Sequence, residues 1–381
     1  MKNPFDTEER LAFRKSIKSF VESEIKPFVN EWDENGEIPW EIHEKAGSLG
    51  VFGFAIDEIY GGLGFDDCFM RAAYHEELAK CGASGVSAAL IGRGISIEPI
   101  QRLASENIKK RVLPDIVSGK KGSSLGITEP SGGSDVANIK TIAKRDGNHF
   151  VINGSKTFVT GGMKSDYFVV GARTGGKGVN GISLFFVEAD RSGFSRIELD
   201  KKMGWWCSDQ ATIFFDNCRV AADNLMGSEN KGFIAIMENF NLERVGLIAT
   251  ALGMMKVCFQ TSLDWAKERI TFGKPLFDHQ VIRHKFADMS IKIDSTEAYL
   301  NHICWEVNQG HMPVAGIAKA KVLSTKNLEF CASEAMQVLG GAGYLRGNPV
   351  ERIYREVKVM AIGGGSEEIM RDLAVRQMNL E

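Results

Sequence analysis

Nothing in this 381-residue chain forms an uninterrupted apolar run long enough to span a bilayer. The N-terminus opens acidic and amphipathic, without an apolar signal core or an Arg-rich transit segment. A cytoplasmic protein is the expectation, and a processed organellar form stays open. The net charge of −3 comes with scattered Lys and Arg rather than a basic tail, so no nucleic-acid partner is expected. The seven cysteines include no C-x-x-C pair, and their odd number suggests reduced thiols in a reducing compartment. The seven histidines form no H-E-x-x-H. His279 and His284 are five apart, which does not put two ligands on one helix face, so no metal is expected. Internal repeats, low-complexity tracts and long linkers are also missing. The length suffices for two or three domains and a large core without disulfide or metal staples.

What is present is a change of period. Residues 1–119 read as helical. Asp6-Thr7-Glu8-Glu9 resembles a helix start, and Leu11, Ile17, Phe20, Val21 and Ile25 mark one face before Pro27. A second helix opens at Pro39-Trp40 and closes near Gly50, and more are expected at about 67–80, 84–102 and 105–117. Residues 120–230 alternate and carry Asp-Gly, Asn-Gly and Gly-Gly turns. Strands are expected at 141–144, 149–152, 167–172, 182–187 and 212–215. From 231 to 381 the helical period returns, with long helices at about 232–268, 280–309, 314–340 and 349–359. Three domains, α then β then α, follow.

One stretch concentrates the chemistry: Leu125-Gly-Ile-Thr-Glu-Pro-Ser-Gly-Gly-Ser-Asp-Val136. Pro130 stops regular structure. The Ser-Gly-Gly-Ser that follows allows positive φ and close approach to a ligand, and its successive N–H groups suit an anionic or polar partner. By spacing alone, such a segment is more often only a turn.

Thr-Glu-Pro-x-x-Gly-Ser-Asp resembles the flavin-binding signature of the acyl-CoA dehydrogenase family. Phe158 to Gly162 resembles a second family segment, with Gly161 where Asn is usual. Tyr60 to Gly64, Lys202 to Gly204, Arg269 to Gly273, His279-Gln280, Gln337 to Gly341 and Ile362 to Met370 continue the resemblance in family order. It implies a mainly α fold: a helical N-domain, a middle β-barrel and a C-terminal four-helix bundle. It also implies FAD, α,β-dehydrogenation of an acyl-CoA to a trans-2-enoyl-CoA, an electron-transfer flavoprotein as acceptor, and a homotetramer.

The reaction needs a carboxylate base of raised pKa and donors for the thioester oxygen. The family's usual base lies near the C-terminus, where this chain has Gly364 between Gly363 and Gly365. A minority of the family, including isovaleryl-CoA and long-chain acyl-CoA dehydrogenases, carries the base on a helix just before an Arg. Here that position is Glu243, followed by Arg244. Phe240 and Leu247 share its helix face, and Gly246 is expected to leave room beside it. A carboxylate on an apolar face is a functional candidate; the plain alternative is a salt bridge from another helix. Glu367 and Glu368 are rival bases.

The resemblance assigns the remaining roles. Leu125, Ile127, Thr128, Gly133 and Ser134 line the flavin, and Ser134 also faces the CoA part. Phe158, Val159 and Thr160 lie against the ring. Arg269, Thr271, Gln280, Gln337, Gly340 and Gly341 reach the flavin of a neighbouring subunit, with Arg269 on the pyrophosphate. Ser366 and Glu368 lie near the adenine and ribose, Glu368 standing where Gln is common. Arg244, with Asn241, contacts the acyl-CoA, and the Gly364 N–H donates to the thioester oxygen. Apart from the resemblance, the paired Trp205 and Trp206 are read as domain-interface packing, with an acyl lid or an electron-acceptor contact as the alternatives.

Gly363 and Gly364 remove bulk, which suggests a branched or cyclic acyl group. Ser87 and Ile91 are expected to line the deeper pocket, and Arg93 to face outward. Three rival readings stay open: a flavin oxidase of the same fold, a non-catalytic acyl-CoA or flavin-binding paralogue, and a helical scaffold without cofactor.

Overall fold

The computed structural model describes residues 3–92 and 94–378. Arg93 lies outside the described residues, and so does the expectation about its direction. The N-terminal helices are α1 (Glu8–Phe20), α2 (Val29–Asn35), α3 (Trp40–Ser48), α4 (Cys68–Ala79), α5 (Ser84–Ile91), α6 (Ile97–Leu103) and α7 (Glu106–Val117). Thr7 caps α1, its hydroxyl accepting from the Arg10 N–H, and a π-helical turn, Val21–Ile25, leads on to Pro27. Ile17, Phe20, Val21 and Ile25 are buried as the spacing requires, but Leu11 is exposed. The long helix expected over 84–102 divides into α5 and α6. Gly92 and Gly94 close the turn between them, with the Gly94 N–H bonding Ile91 O.

Eight strands follow: β1 (Ser123–Gly126), β2 (Ile142–Asp146), β3 (His149–Thr160), β4 (Tyr167–Arg173), β5 (Ile182–Glu188), β6 (Phe194–Glu198), β7 (Gln210–Ala221) and β8 (Leu225–Met226). They pair in the order β6-β7-β3-β2-β4-β5-β8, with β1 parallel to β4. The sheet wraps round on itself. Phe150 on β3 and Phe185 on β5 are three strands apart, roughly 14 Å in a flat sheet, yet their ring centroids are 4.9 Å apart. Phe168 on β4 meets Phe194 on β6 at the same distance. The enclosed core also holds Ile152, Val170, Ile213 and Val220. The opposite pleat face, with Val169, Leu184 and Phe186, packs on Ile100, Ile108 and Val112 of α6 and α7. Period-two alternation therefore feeds two cores at once.

The C-terminal helices are α8 (Gly232–Glu268), α9 (Gln280–Asn308), α10 (Val314–Leu339), α11 (Pro349–Ile362) and α12 (Glu367–Gln377), with a hairpin of β9 (Ile270–Thr271) and β10 (Lys274–Pro275) after α8. Helices α8 to α11 share one core, and α4 docks onto it through Cys68, Ala72 and Ala79. The docking is close because Gly253 has no side chain to meet the Glu76 carbonyl. The short α12 has no counterpart in the sequence reading. Among the described residues no helix is long and apolar enough to cross a membrane, and all seven cysteines are free and buried.

Candidate active site

Glu243 projects from the first third of α8, the 37-residue helix of the bundle. Its Oε2 is shut off from solvent and accepts no hydrogen bond among the described residues. Burial raises the carboxyl to about 7, opposed by the positive charges of Arg244 and Lys321. The salt-bridge alternative does not form among the described residues: Lys321, the cation from another helix, donates to the Ala361 and Gly365 carbonyls, and Arg244 on the same helix is directed elsewhere. Its Nε donates to Gly364 O at 2.9 Å and its Nη1 to Asn241 Oδ1 at 3.1 Å. The same bonds bring the C-terminal glycine loop onto α8. A Cβ at Gly364 would lie 4.0 Å from Glu243 Oε1, so the two alternative base positions face one another. At φ +66° Gly364 holds a conformation that favours glycine.

Two expected spaces are filled. A Cβ on Gly246 would overlap the buried His75 ring of α4, so that glycine accommodates His75 and not a ligand. A Cβ at Gly364 would also lie 2.5 Å from Leu247 Cδ1. Leu247 thus takes up the bulk that Gly364 gives away, and that position does not by itself enlarge the site. Gly363 borders the Val359 carbonyl, and Gly365 borders Met370 and Arg244. The rival acids differ sharply from Glu243. Glu367 pairs with Lys326 and Arg371, each at 3.2 Å. Glu368 is exposed, and hydrogen bonding at the start of α12 lowers its pKa. Neither is an unpaired, desolvated base.

The corner between α5 and α6 closes another side. Gly92 sits against Thr160 Cγ2 of β3. Asn239, one turn before Glu243, donates to Ile95 O at 3.2 Å, and Ser96 donates to Ser123 Oγ at 2.7 Å. Ser87 is buried on α5 with a hydroxyl that finds no partner among the described residues, and Tyr74 on α4 is the same. Ile91 is half-buried beside them in the N-terminal core.

The Ser/Gly loop is set by a buried ion pair that sequence reasoning missed. Glu129 accepts from Lys156 Nζ at 2.8 Å and from the Lys140 and Thr141 N–H groups at 2.6 and 2.8 Å. Lys156 also donates to Ile127 O. Burial opposes both charges: Lys156 is pulled down to about 8, while the pairing carries Glu129 to about 2 despite its burial. A signal existed, since Phe150, Ile152 and Lys156 share one strand parity. Past this anchor, Ser131 to Asp135 are exposed, and a Cβ on Gly132 would meet nothing within 4 Å. Gly133 lies against Thr128, whose carbonyl accepts from the Thr157 N–H at 2.8 Å. Leu125 is half-buried and Ile127 fully so.

Phe158 stands beside that loop. It occupies a β3–β7 register shift, with φ +55° and a side chain 70% exposed. It is not an ordinary strand core residue. A bulky residue at positive φ stores strain and is worth a functional explanation. Its neighbour Val159 is buried in the barrel core, so only its backbone faces this groove. An exposed aromatic face, an open Gly/Ser loop and the Thr128 and Thr160 hydroxyls fit a flat, polar-edged ring with a phosphate tail.

Arg269, Gln280, Gln337, Gly340 and Gly341 are all exposed on the bundle. Thr271 is half-buried in the hairpin and shares a hydrogen bond with His279. Phe272 beside them is 97% exposed at φ +51°, and Tyr344 is 82% exposed. Gly340 has φ +60° and ψ −135°, and Cβ atoms there and at Gly341 would meet nothing within 4 Å. These residues face away from their own chain. Ser366 caps α12, its Oγ accepting from the Ile369 N–H. Trp205 is interface packing. Its N–H groups reach Glu356 of α11 and Ser84 of α5, tying three parts of the fold together. The Arg355 and Arg346 guanidiniums both pack on the Trp206 ring, 3.9 and 4.4 Å from its centroid.

Comparison with known proteins agrees along the whole chain. Residues 7–120, 124–218 and 230–379 match the family models described as acyl-CoA dehydrogenase N-terminal, middle and C-terminal domains. A curated relative from Alternaria alternata, acyl-CoA dehydrogenase AFT10-1, is 35% identical, covering 97% of this chain and 91% of its own. The crystal structure of a probable acyl-CoA dehydrogenase from Mycobacterium abscessus superposes with a TM-score of 0.94 at 39% identity, covering 98% of this chain and 99% of that one. A glutaryl-CoA dehydrogenase from Mycobacterium smegmatis, in complex with FADH2, does so at 0.93 and 25% identity, covering 99% and 96%.

Proposed function

The chain belongs to the acyl-CoA dehydrogenase family, and from that membership we propose that it dehydrogenates an acyl-CoA to a trans-2-enoyl-CoA with Glu243 as the base. The observation that carries this reading is the unpaired, buried Oε2 of Glu243, raised to about 7 and set against Gly364. A carboxyl poised near neutrality is matched to general-base work. The α-proton passes to the Glu243 carboxylate, whose Oε1 is the oxygen set toward Gly364. Arg244 fixes the Gly364 peptide through its carbonyl, and the N–H of that residue is the donor to the thioester oxygen, where charge develops.

FAD, the cofactor of this family, supplies the hydride acceptor when bound. Leu125 to Ser134 and Phe158 to Thr160 would hold its ring and neighbouring phosphates. Arg269, Gln280, Gln337, Gly340 and Gly341 would hold the tail of a neighbour's FAD, which makes a homo-oligomer, a tetramer in this reading, the working unit. An electron-transfer flavoprotein is the acceptor. Ser134, Asn241 and Arg244 contact the acyl-CoA, and the unpartnered Ser87 hydroxyl lies along the acyl path.

The test is an anaerobic titration of the flavin-loaded protein with straight, branched, cyclic and dicarboxylic acyl-CoAs, following visible flavin absorbance. Bleaching by one class in wild type and not in Glu243→Gln supports the reading and names the class. Equal bleaching in the variant moves the base elsewhere. Flavin that no thioester bleaches favours a binding paralogue, and peroxide release in air favours an oxidase.

A further inference from the structure

Three consecutive glycines, 363–365, form the loop that faces Glu243. Such a run loses more conformational freedom on ordering than any other sequence. Something must hold it. Arg244 holds the middle carbonyl from α8. The far end of the loop is held from α10 by Lys321, whose Nζ donates to Gly365 O at 2.7 Å and, at the end of α11, to Ala361 O at 3.2 Å.

Lys321 is fully buried, on the inward face of α10 with Ile317, Ser324 and Leu328. A buried ammonium is costly unless its donors are satisfied. Here two neutral carbonyls, one at the end of α11 and one in the loop, each accept from it, and no carboxylate lies within ion-pair distance of it among the described residues. Its positive charge is therefore not cancelled by direct contact, and it acts on the base nearby. The charges that act on Lys321 include Glu367 and Glu368 from α12 and Arg244 and Glu243 from α8. Glu367 is already engaged by Lys326 and Arg371.

We infer that Lys321 is a positioning residue for the dehydrogenation: it clamps the glycine loop from beneath and biases Glu243 toward its ionised, proton-accepting form. This rests on Glu243 being the base. A neighbouring cation lowers a carboxyl's pKa, and removing it raises that pKa. A base works only when ionised, so the acid limb of the rate profile must move upward. Burial lowers Lys321 to about 8, which leaves it charged at neutral pH.

The test compares wild type, Lys321→Met and Lys321→Arg, loaded with FAD. Rapid-mixing flavin reduction is followed from pH 5.5 to 9, and deuterium exchange is followed at the amides of 362–366 in the flavin-free proteins. The expected result for Lys321→Met is an acid limb about one pH unit higher, roughly a tenfold loss near pH 6, that recovers at pH 9. Exchange in the loop is faster, and Arg restores both. An acid limb in Lys321→Met that overlays wild type overturns the inference, as does a shift that Arg leaves unrepaired. If the Met variant does not fold, Lys321→Gln is read by the same two criteria. Glu243→Gln runs alongside. If it reduces flavin like wild type, the base assignment fails, while loop exchange still decides whether Lys321 is the clamp.

Discussion

At the scale of the residue, the site departs from what stability alone would select. Glu243 is raised from 4.5 to about 7 by burial. The sign follows from linkage: the folded chain binds this proton more tightly than the unfolded one. The associated stability is complete below about pH 4.5 and is lost as pH rises through 7. At pH 8 the ionised carboxylate therefore costs on the order of 3 kcal/mol. Glu243→Gln should unfold at higher denaturant than wild type at pH 8 and at about the same denaturant at pH 4. The same change should lower the rate of flavin reduction about 10²- to 10⁴-fold, with little change in substrate binding. A variant that lost activity without gaining stability at pH 8 would show that the carboxylate is not desolvated. Phe158 makes the same trade. Its ring is 70% exposed at φ +55°, so Phe158→Ala removes no core contact. Flavin-free stability should stay within about 0.5 kcal/mol of wild type. FAD affinity, read by fluorescence titration, should fall roughly 3- to 10-fold for a lost aromatic contact.

Among the elements, the loop that carries the flavin signature depends on a strand. Glu129 and Lys156 are buried at 5% and 0% exposure, and either one alone would be a stranded charge. Lys156→Met should cost about 3–5 kcal/mol in chemical denaturation, and adding Glu129→Gln should recover part of it. Full additivity of the two losses would mean that the pair is not coupled. Much of this level was legible in the sequence. The 37-residue α8 begins and ends where its period does, because Gly232 and Arg269 bound an unbroken apolar pattern. The motif order placed Glu243 and Gly364 in one site, and the structure brings them together. Strand lengths were underestimated, since β3 and β7 continue past their apolar runs through bulges whose residues face solvent. The break between α5 and α6 was missed because Gly92 and Gly94 are both compatible with a helix locally, and the turn is fixed by contacts to Thr160 and Asn239. The filled space at Gly246 was illegible for the same reason. The ring that fills it, His75, comes from another helix 171 positions earlier in the chain. Lys156 and Lys321 lay in plain view at buried parity, but a charged residue on an apolar face does not name its partner.

For the whole molecule, the exposed set on the bundle poses the question of what completes a site. Arg269, Gln280, Gln337 and Gly340 are exposed, and Phe272, three residues after Arg269, is a nearly bare aromatic at positive φ. Isolated exposed apolar residues need no explanation, but Ile270 and Phe272 next to Arg269, and Tyr344 and Leu345 shortly after the open glycines, are bare together, which points to a covered surface. If Arg269 serves a neighbour's FAD, each active site draws Glu243 from one subunit and Arg269 from another. Glu243→Gln and Arg269→Ala subunits should then each be inactive, the first in proton removal and the second in holding FAD. Unfolded together and refolded as a mixture, they form dimers in which one site is doubly defective and the other is entirely wild type. Random pairing makes half the dimers mixed, with one working site of two, so roughly a quarter of wild-type activity should return. Preformed parents mixed without refolding should return none. Recovery in the refolded mixture alone requires residues from two chains in one site. A refolded mixture as inactive as its parents would place Arg269 and Glu243 in the same subunit's site, and the exposed face would then need another occupant.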